Sequence, residues 1–117
     1  MRLPEDDRAA LTARRLARRW ASHEGLRNQV VDDLELLVSE LVTNARRHGL
    51  PPYDLDLRRA DGVIRCEVCD CLPSPPRPNP SPDETGGFGL GIVNACVARW
   101  GTQRLPTGKK VWFEIKP

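Results

Sequence analysis

The stretch SELVTNARRHG, residues 39–49, sets an acid, an amide and an imidazole (Glu40, Asn44 and His48) four residues apart, beside a run of leucine and valine. On a helix that spacing stacks all three on one face. A carboxylate and an amide at the border of a core are partly desolvated, and such groups persist when they are paired or when they are used. A Glu and an Asn four apart are, on their own, most often satisfied polar residues of an amphipathic helix. Two features downstream shift that balance. Asp70 closes GVIRCEVCD, a stretch that alternates as a strand and puts Ile64, Cys66, Val68 and Asp70 on one face. Glycines at positions 86, 87, 89 and 91 then open into IVNACVARWG, which has the pattern of a short helix. Their spacing fits neither GxxxxGK[ST] nor GxGxxG, so the P-loop and dinucleotide readings fail. Glycine-rich backbone feeding a helix is still a natural phosphate cradle, because unpaired N–H groups converge there and the helix dipole favours anions. By itself such a cluster is as often a plain turn.

The elements that must position these groups follow from periodicity. Leu34, Leu37, Val38, Leu41, Val42 and Ala45 form one broad stripe, so the helix expected from about Gln29 to His48 is the centre of the core. Glu40, Asn44 and His48 line one edge of it, and Gly49 with Pro51 and Pro52 supplies the stop. Residues 5–21 predict a first helix, with Ala9, Ala13, Leu16, Ala17 and Trp20 on one face and Arg8, Arg14, Arg15, Arg18 and Arg19 mostly outside it. YDLDLRR and GVIRCEVCD predict two strands joined in a hairpin through Ala60-Asp61-Gly62. Residues 71–85, CLPSPPRPNPSPDET, are too rich in proline for helix or sheet and predict a loop. IVNACVARWG predicts a helix ended by Gly101; TQRL, a Pro106-Thr107-Gly108 turn and KKVWFEIK complete the chain, with Val111, Phe113 and Ile115 alternating toward the core. Helices grouped on one face of a mostly antiparallel sheet give an α+β fold, a two-layer α/β sandwich spanning residues 1–117 as a single domain.

Composition narrows the function. A chain of 117 residues can bury one core, and a formal charge of +2 gives no electrostatic case for nucleic acid or an anionic membrane. The arginines of the first helix carry no interleaved aromatic groups for base stacking, so they predict a solvated face or a contact for an acidic protein. No apolar run approaches the roughly 20 residues that span a bilayer, and MRLPEDDRAA lacks a signal-peptide core, so a cytoplasmic location is expected. Cys66, Cys69 and Cys71 in CEVCDC invite a zinc reading. On a strand, however, Cys66 faces opposite to Cys69 and Cys71, and no second CxxC or paired His follows, so small reduced thiols are expected instead.

Taken in this order, the acid–amide helix, the strand-end Asp and the glycine cluster resemble the GHKL ATPase superfamily with its Bergerat ATP-binding fold. Within it, ELLVSELVTNARRHG and the ending GLGIVNACVARWG to GKKVWFEI are most similar to the anti-sigma factor serine/threonine kinases and their stand-alone actinobacterial relatives. The resemblance covers nearly the whole chain and implies ATP and Mg²⁺ as cofactors. It implies that Asn44 gives its side-chain oxygen to Mg²⁺, that Glu40 acts as general base for an attacking hydroxyl, and that His48 shapes the pocket edge. It further implies that Asp70 accepts a hydrogen bond from the adenine amino group. Gly87, Gly89, Leu90 and Gly91 would present phosphate-facing backbone, with residues 71–85 as a lid.

Two residues depart from the family pattern. Leu72 stands where glycine is common two positions after the adenine-binding Asp, and Lys110 stands where close relatives often place a threonine near the base. The implied function is an anti-sigma factor kinase that binds a sigma factor and phosphorylates a small anti-anti-sigma (STAS-type) protein. The alternative is a nucleotide-binding or protein-binding regulator without useful transfer. No direct nucleic-acid or membrane partner is implied. A homodimer through the first helix and neighbouring strand is implied by close relatives.

Overall fold

Helix α1, Ala9–His23, and helix α2, Asn28–His48, pack against each other and against one face of a four-stranded sheet. The computed structural model describes residues 1–73 and 97–117. Its strands are β1 (Asp54–Ala60), β2 (Val63–Asp70), β3 (Arg99–Leu105) and β4 (Gly108–Ile115), in the spatial order β1-β2-β4-β3 with every pairing antiparallel. This is the two-layer α+β architecture expected from the sequence.

The stripe on α2 is the reason for that layering. Leu34, Leu37, Val38, Leu41, Val42 and Ala45 are all buried, and they meet Leu55, Leu57, Ile64, Cys66, Val68, Phe113 and Ile115 from the sheet. Each large aliphatic side chain removed from water in this way stabilises the fold by about 1.5–3 kcal/mol. Helix α1 contributes Ala9, Ala13, Ala17 and Ala21, all fully buried, so small side chains let the two helices approach closely. It begins four residues later than the sequence predicts. Its C-terminus closes as a Schellman motif: Gly25, at φ 67°, donates to Ser22 O and Leu26 donates to Ala21 O, each at 3.1 Å.

The β1–β2 hairpin turns on Asp61 (φ 54°) and Gly62 (φ 74°), the paired positive values that a two-residue turn of the right hand requires. On β2 the alternation holds. Ile64, Cys66, Val68 and Asp70 are buried toward the helices, while Arg65, Glu67 and Cys69 lie on the outer face. Cys66 is fully buried, and burial pushes its thiol well above the ordinary value, which keeps it a neutral packing group.

The outer face is held by charge. Glu67 accepts from Arg65 Nε at 2.8 Å, and Lys110 Nζ and Arg58 Nη2 each lie 3.4 Å from its other oxygen. Burial pushes the Glu67 carboxyl up, but the Arg65 hydrogen bond and the Lys110 charge outweigh it and hold the group below its ordinary value. The Arg65 guanidinium stacks 4.1 Å from the centre of the Trp112 ring.

One expected boundary is corrected. Gly101 does not end a helix: Arg99, Trp100 and Gly101 belong to β3 and pair with Glu114, Phe113 and Trp112 of β4. The glycine serves close approach across the strands, since a Cβ on it would lie 2.9 Å from Trp112 Cζ2. The earlier part of the expected helix lies outside the described residues, as do Gly87, Gly89, Leu90, Gly91 and all of the expected lid beyond residue 73.

Candidate nucleotide site

The candidate site gathers where α2 ends beside the last residue of β2. Along α2, Glu40 and Asn44 are half-buried at the border of the apolar stripe, and neither side chain hydrogen-bonds to or ion-pairs with another described residue. His48 closes the helix with its side chain exposed. With a rise of about 1.5 Å per residue, Asn44 lies about 7 Å and Glu40 about 13 Å back along the axis from Gly49. Glu40, Asn44 and His48 thus follow one edge of α2, and Asp70 meets the end of that helix at Gly49.

Gly49 is what lets the end of α2 lie against Asp70. Its N–H donates to Ala45 O at 2.8 Å and ends the helix, but its φ of −122° is open to any residue. The missing Cβ is the point: a methyl group there would run into the Asp70 carboxylate and come within 2.8 Å of the Ala45 carbonyl oxygen. Gly108, at the start of β4, is held in the same way against the backbone carbonyl of Asp70. Gly49→Ala is therefore expected to displace the carboxylate or the helix end, at about 1–3 kcal/mol of stability. Denaturant midpoints would measure this, and an unchanged midpoint would show that Asp70 has room to move.

Asp70 is 5% exposed. One carboxylate oxygen, Oδ1, accepts from the Leu72 N–H at 2.9 Å, and the other, Oδ2, lies 4.0 Å from Lys109 Nζ. Burial pushes the carboxyl above its ordinary value, while the Leu72 amide, the Lys109 ammonium, the Leu50 amide and Arg104 pull the other way. Each carboxylate oxygen has two lone pairs, so these contacts leave acceptor capacity unused. The Cys71 N–H donates to Leu50 O at 2.8 Å and ties the exit of β2 to the segment after α2.

A family model described as a histidine kinase-like ATPase domain matches residues 3–115. The chain belongs to that family. Among solved structures, the RsbU and RsbW domains of Rv1364c from Mycobacterium tuberculosis superpose with a TM-score of 0.73 at 23% identity, over 99% of this chain and 30% of that one. This likeness shows a shared fold, in a protein of which the present chain spans about 30% of the length. No curated protein matches the chain.

In this histidine kinase-like ATPase domain Glu40, Asn44 and Asp70 fall on described residues, and the glycine cluster does not. The donor set fits a magnesium nucleotide. Asn44 offers a half-buried amide oxygen, the kind of hard ligand Mg²⁺ prefers. A metal completed by phosphate oxygens and water needs only such a partial set. If Asn44 supplies the protein ligand, Asn44→Ala should abolish most of the Mg²⁺ dependence of ATP binding, and superimposable Mg²⁺ titrations of variant and wild type would count against it.

Lys110 is not beside Asp70. It pairs with Cys69 across the sheet and turns to Glu67 on the outer face, the face opposite to Asp70. The residue opposite Asp70 is Lys109, which sequence reasoning passed over. The signal was present: if Val111, Phe113 and Ile115 point inward, a period of two puts Lys109 inward and Lys110 outward.

Proposed function

We propose that this ATPase-domain protein is an ATP-binding regulator that works as an anti-sigma factor serine/threonine kinase, binding a sigma factor and phosphorylating an anti-anti-sigma (STAS-type) partner. The observation that supports the reading is the pair of unengaged, half-buried side chains Asn44 and Glu40 on α2, with the spare acceptor capacity of Asp70 at the strand end beside the end of that helix. Bound ATP would supply the phosphoryl group, with Mg²⁺ neutralising its charge. Asp70 would accept from the adenine amino group and fix the base. Asn44 would hold the metal, and Glu40 would take the proton from the attacking serine or threonine hydroxyl. Gly87, Gly89, Leu90 and Gly91 would offer backbone N–H groups to the phosphates.

A second reading is a regulator that binds a nucleotide or a protein without transferring phosphate. It is favoured by the nearly sealed Asp70 carboxylate, already engaged by the Leu72 N–H at 2.9 Å. Incubation with radiolabelled ATP, Mg²⁺ and an antagonist protein co-purified from the native host separates the two. A kinase labels a serine or threonine on that antagonist, whereas a protein that binds ATP and the antagonist tightly without labelling it is the regulator.

A further inference from the structure

We propose that Lys109 sets the purine preference of the nucleotide site by holding Asp70 as an acceptor-only carboxylate. The inference rests on the reading of Asp70 as the nucleobase acceptor. Asp70 and Lys109 are directly opposed in the β2–β4 pairing, and their side chains share the inner face of the sheet. The ammonium lies 4.0 Å from Oδ2, with the lysine side chain 15% and the aspartate side chain 2% exposed, so little solvent screens the pair. The neutral Leu72 N–H fixes the other oxygen at 2.9 Å. Among the described residues, the charged group besides Lys109 that acts on Asp70 is Arg104, which pairs with Lys109 from β3. Helix α2 contributes Gly49 at the contact, with His48 exposed beside it. On β1, Asp54 is engaged by Arg2 at 3.0 Å.

The protonation state of Asp70 decides which purine it can read. An ionised carboxylate only accepts, so it matches the amino group of a 6-aminopurine and repels the carbonyl oxygen of a 6-oxopurine. A protonated carboxyl has a hydrogen to donate and can meet that carbonyl. Burial drives Asp70 toward the protonated form, and the cation across the strand pair opposes it. Lys109 is thus a positioning residue whose charge is read out as nucleotide specificity.

The test is a set of calorimetric ATP and GTP affinities between about pH 5 and pH 8 for wild type, Lys109→Gln, Lys109→Arg and Asp70→Asn. In Lys109→Gln the acid limb of ATP binding should move up by about one pH unit, the lower end of what one nearby opposite charge imparts. The ATP-to-GTP preference should fall by about tenfold at the acid end, the equivalent of that shift. Lys109→Arg should restore both. Should Lys109→Gln not fold, the wild type still decides, because its own ATP preference should weaken as pH falls and a constant preference overturns the proposal. A wild-type profile in Lys109→Gln, together with lost ATP binding in Asp70→Asn, overturns the role of Lys109 and leaves the nucleotide site standing. Equal weakening of both nucleotides at every pH also overturns it, being the mark of a charge acting on the phosphates. Unchanged ATP affinity in Asp70→Asn removes the nucleobase site itself.

Discussion

Glu40→Gln should leave ATP binding close to that of the wild type while slowing phosphoryl transfer to the antagonist by roughly 10²- to 10⁴-fold. The asymmetry follows from the role. A general base works only in the transition state, and the amide is isosteric with the carboxylate but cannot take the proton. Glu40 is half-buried on α2 and hydrogen-bonds to no other described residue, so the exchange breaks no contact among them. Parallel measurements of ATP affinity and single-turnover labelling separate the alternatives. Equal transfer rates in the two proteins would leave Glu40 as a structural or nucleotide-sensing residue.

Asp70→Asn should cost at least tenfold in ATP affinity, since a charge-assisted hydrogen bond is worth about 1.5–3 kcal/mol and the amide presents donors where only an acceptor fits. The same substitution should not destabilise the unliganded protein at neutral pH. The folded-state pKa of Asp70 is raised above 3.8, so its contribution to stability is fully present below the ordinary carboxylate value and is lost as pH rises through the raised one. At neutral pH the buried charge therefore works against folding. Melting temperatures of the variant should match or exceed the wild type at pH 7 and lose that advantage toward pH 4. A variant that melts well below wild type at neutral pH would mark Asp70 as a structural anchor for Leu72 instead.

The core of this fold was legible because the physics that sets it is local and periodic. The α2 stripe, the alternation of β2 and the Asp-Gly turn each follow from a repeat of fixed length, and all three stand where the sequence put them. Gly101 misled for a reason of the same kind. A glycine after an apolar run is a common helix stop, but here the bare Cα is needed beneath Trp112, a contact that exists only once β3 and β4 are paired. Gly49 shows a subtler version: it does end the helix, yet the missing Cβ matters because of Asp70, which is 21 positions further along the chain. Within the site, Glu40, Asn44 and Asp70 could be picked out by type and spacing. Lys109 required the register between β2 and β4, and the resemblance drew attention to Lys110, which the pleat turns away.

The central claim is that this histidine kinase-like ATPase domain holds a magnesium nucleotide against Asp70 and the Glu40–Asn44 edge of α2. Calorimetric titration of the wild-type chain with ATP, with and without Mg²⁺, tests it most directly. The expected result is saturable binding of one ATP per chain that strengthens when Mg²⁺ is present. Absence of saturable ATP binding up to about 1 mM, whether or not Mg²⁺ is added, would contradict it.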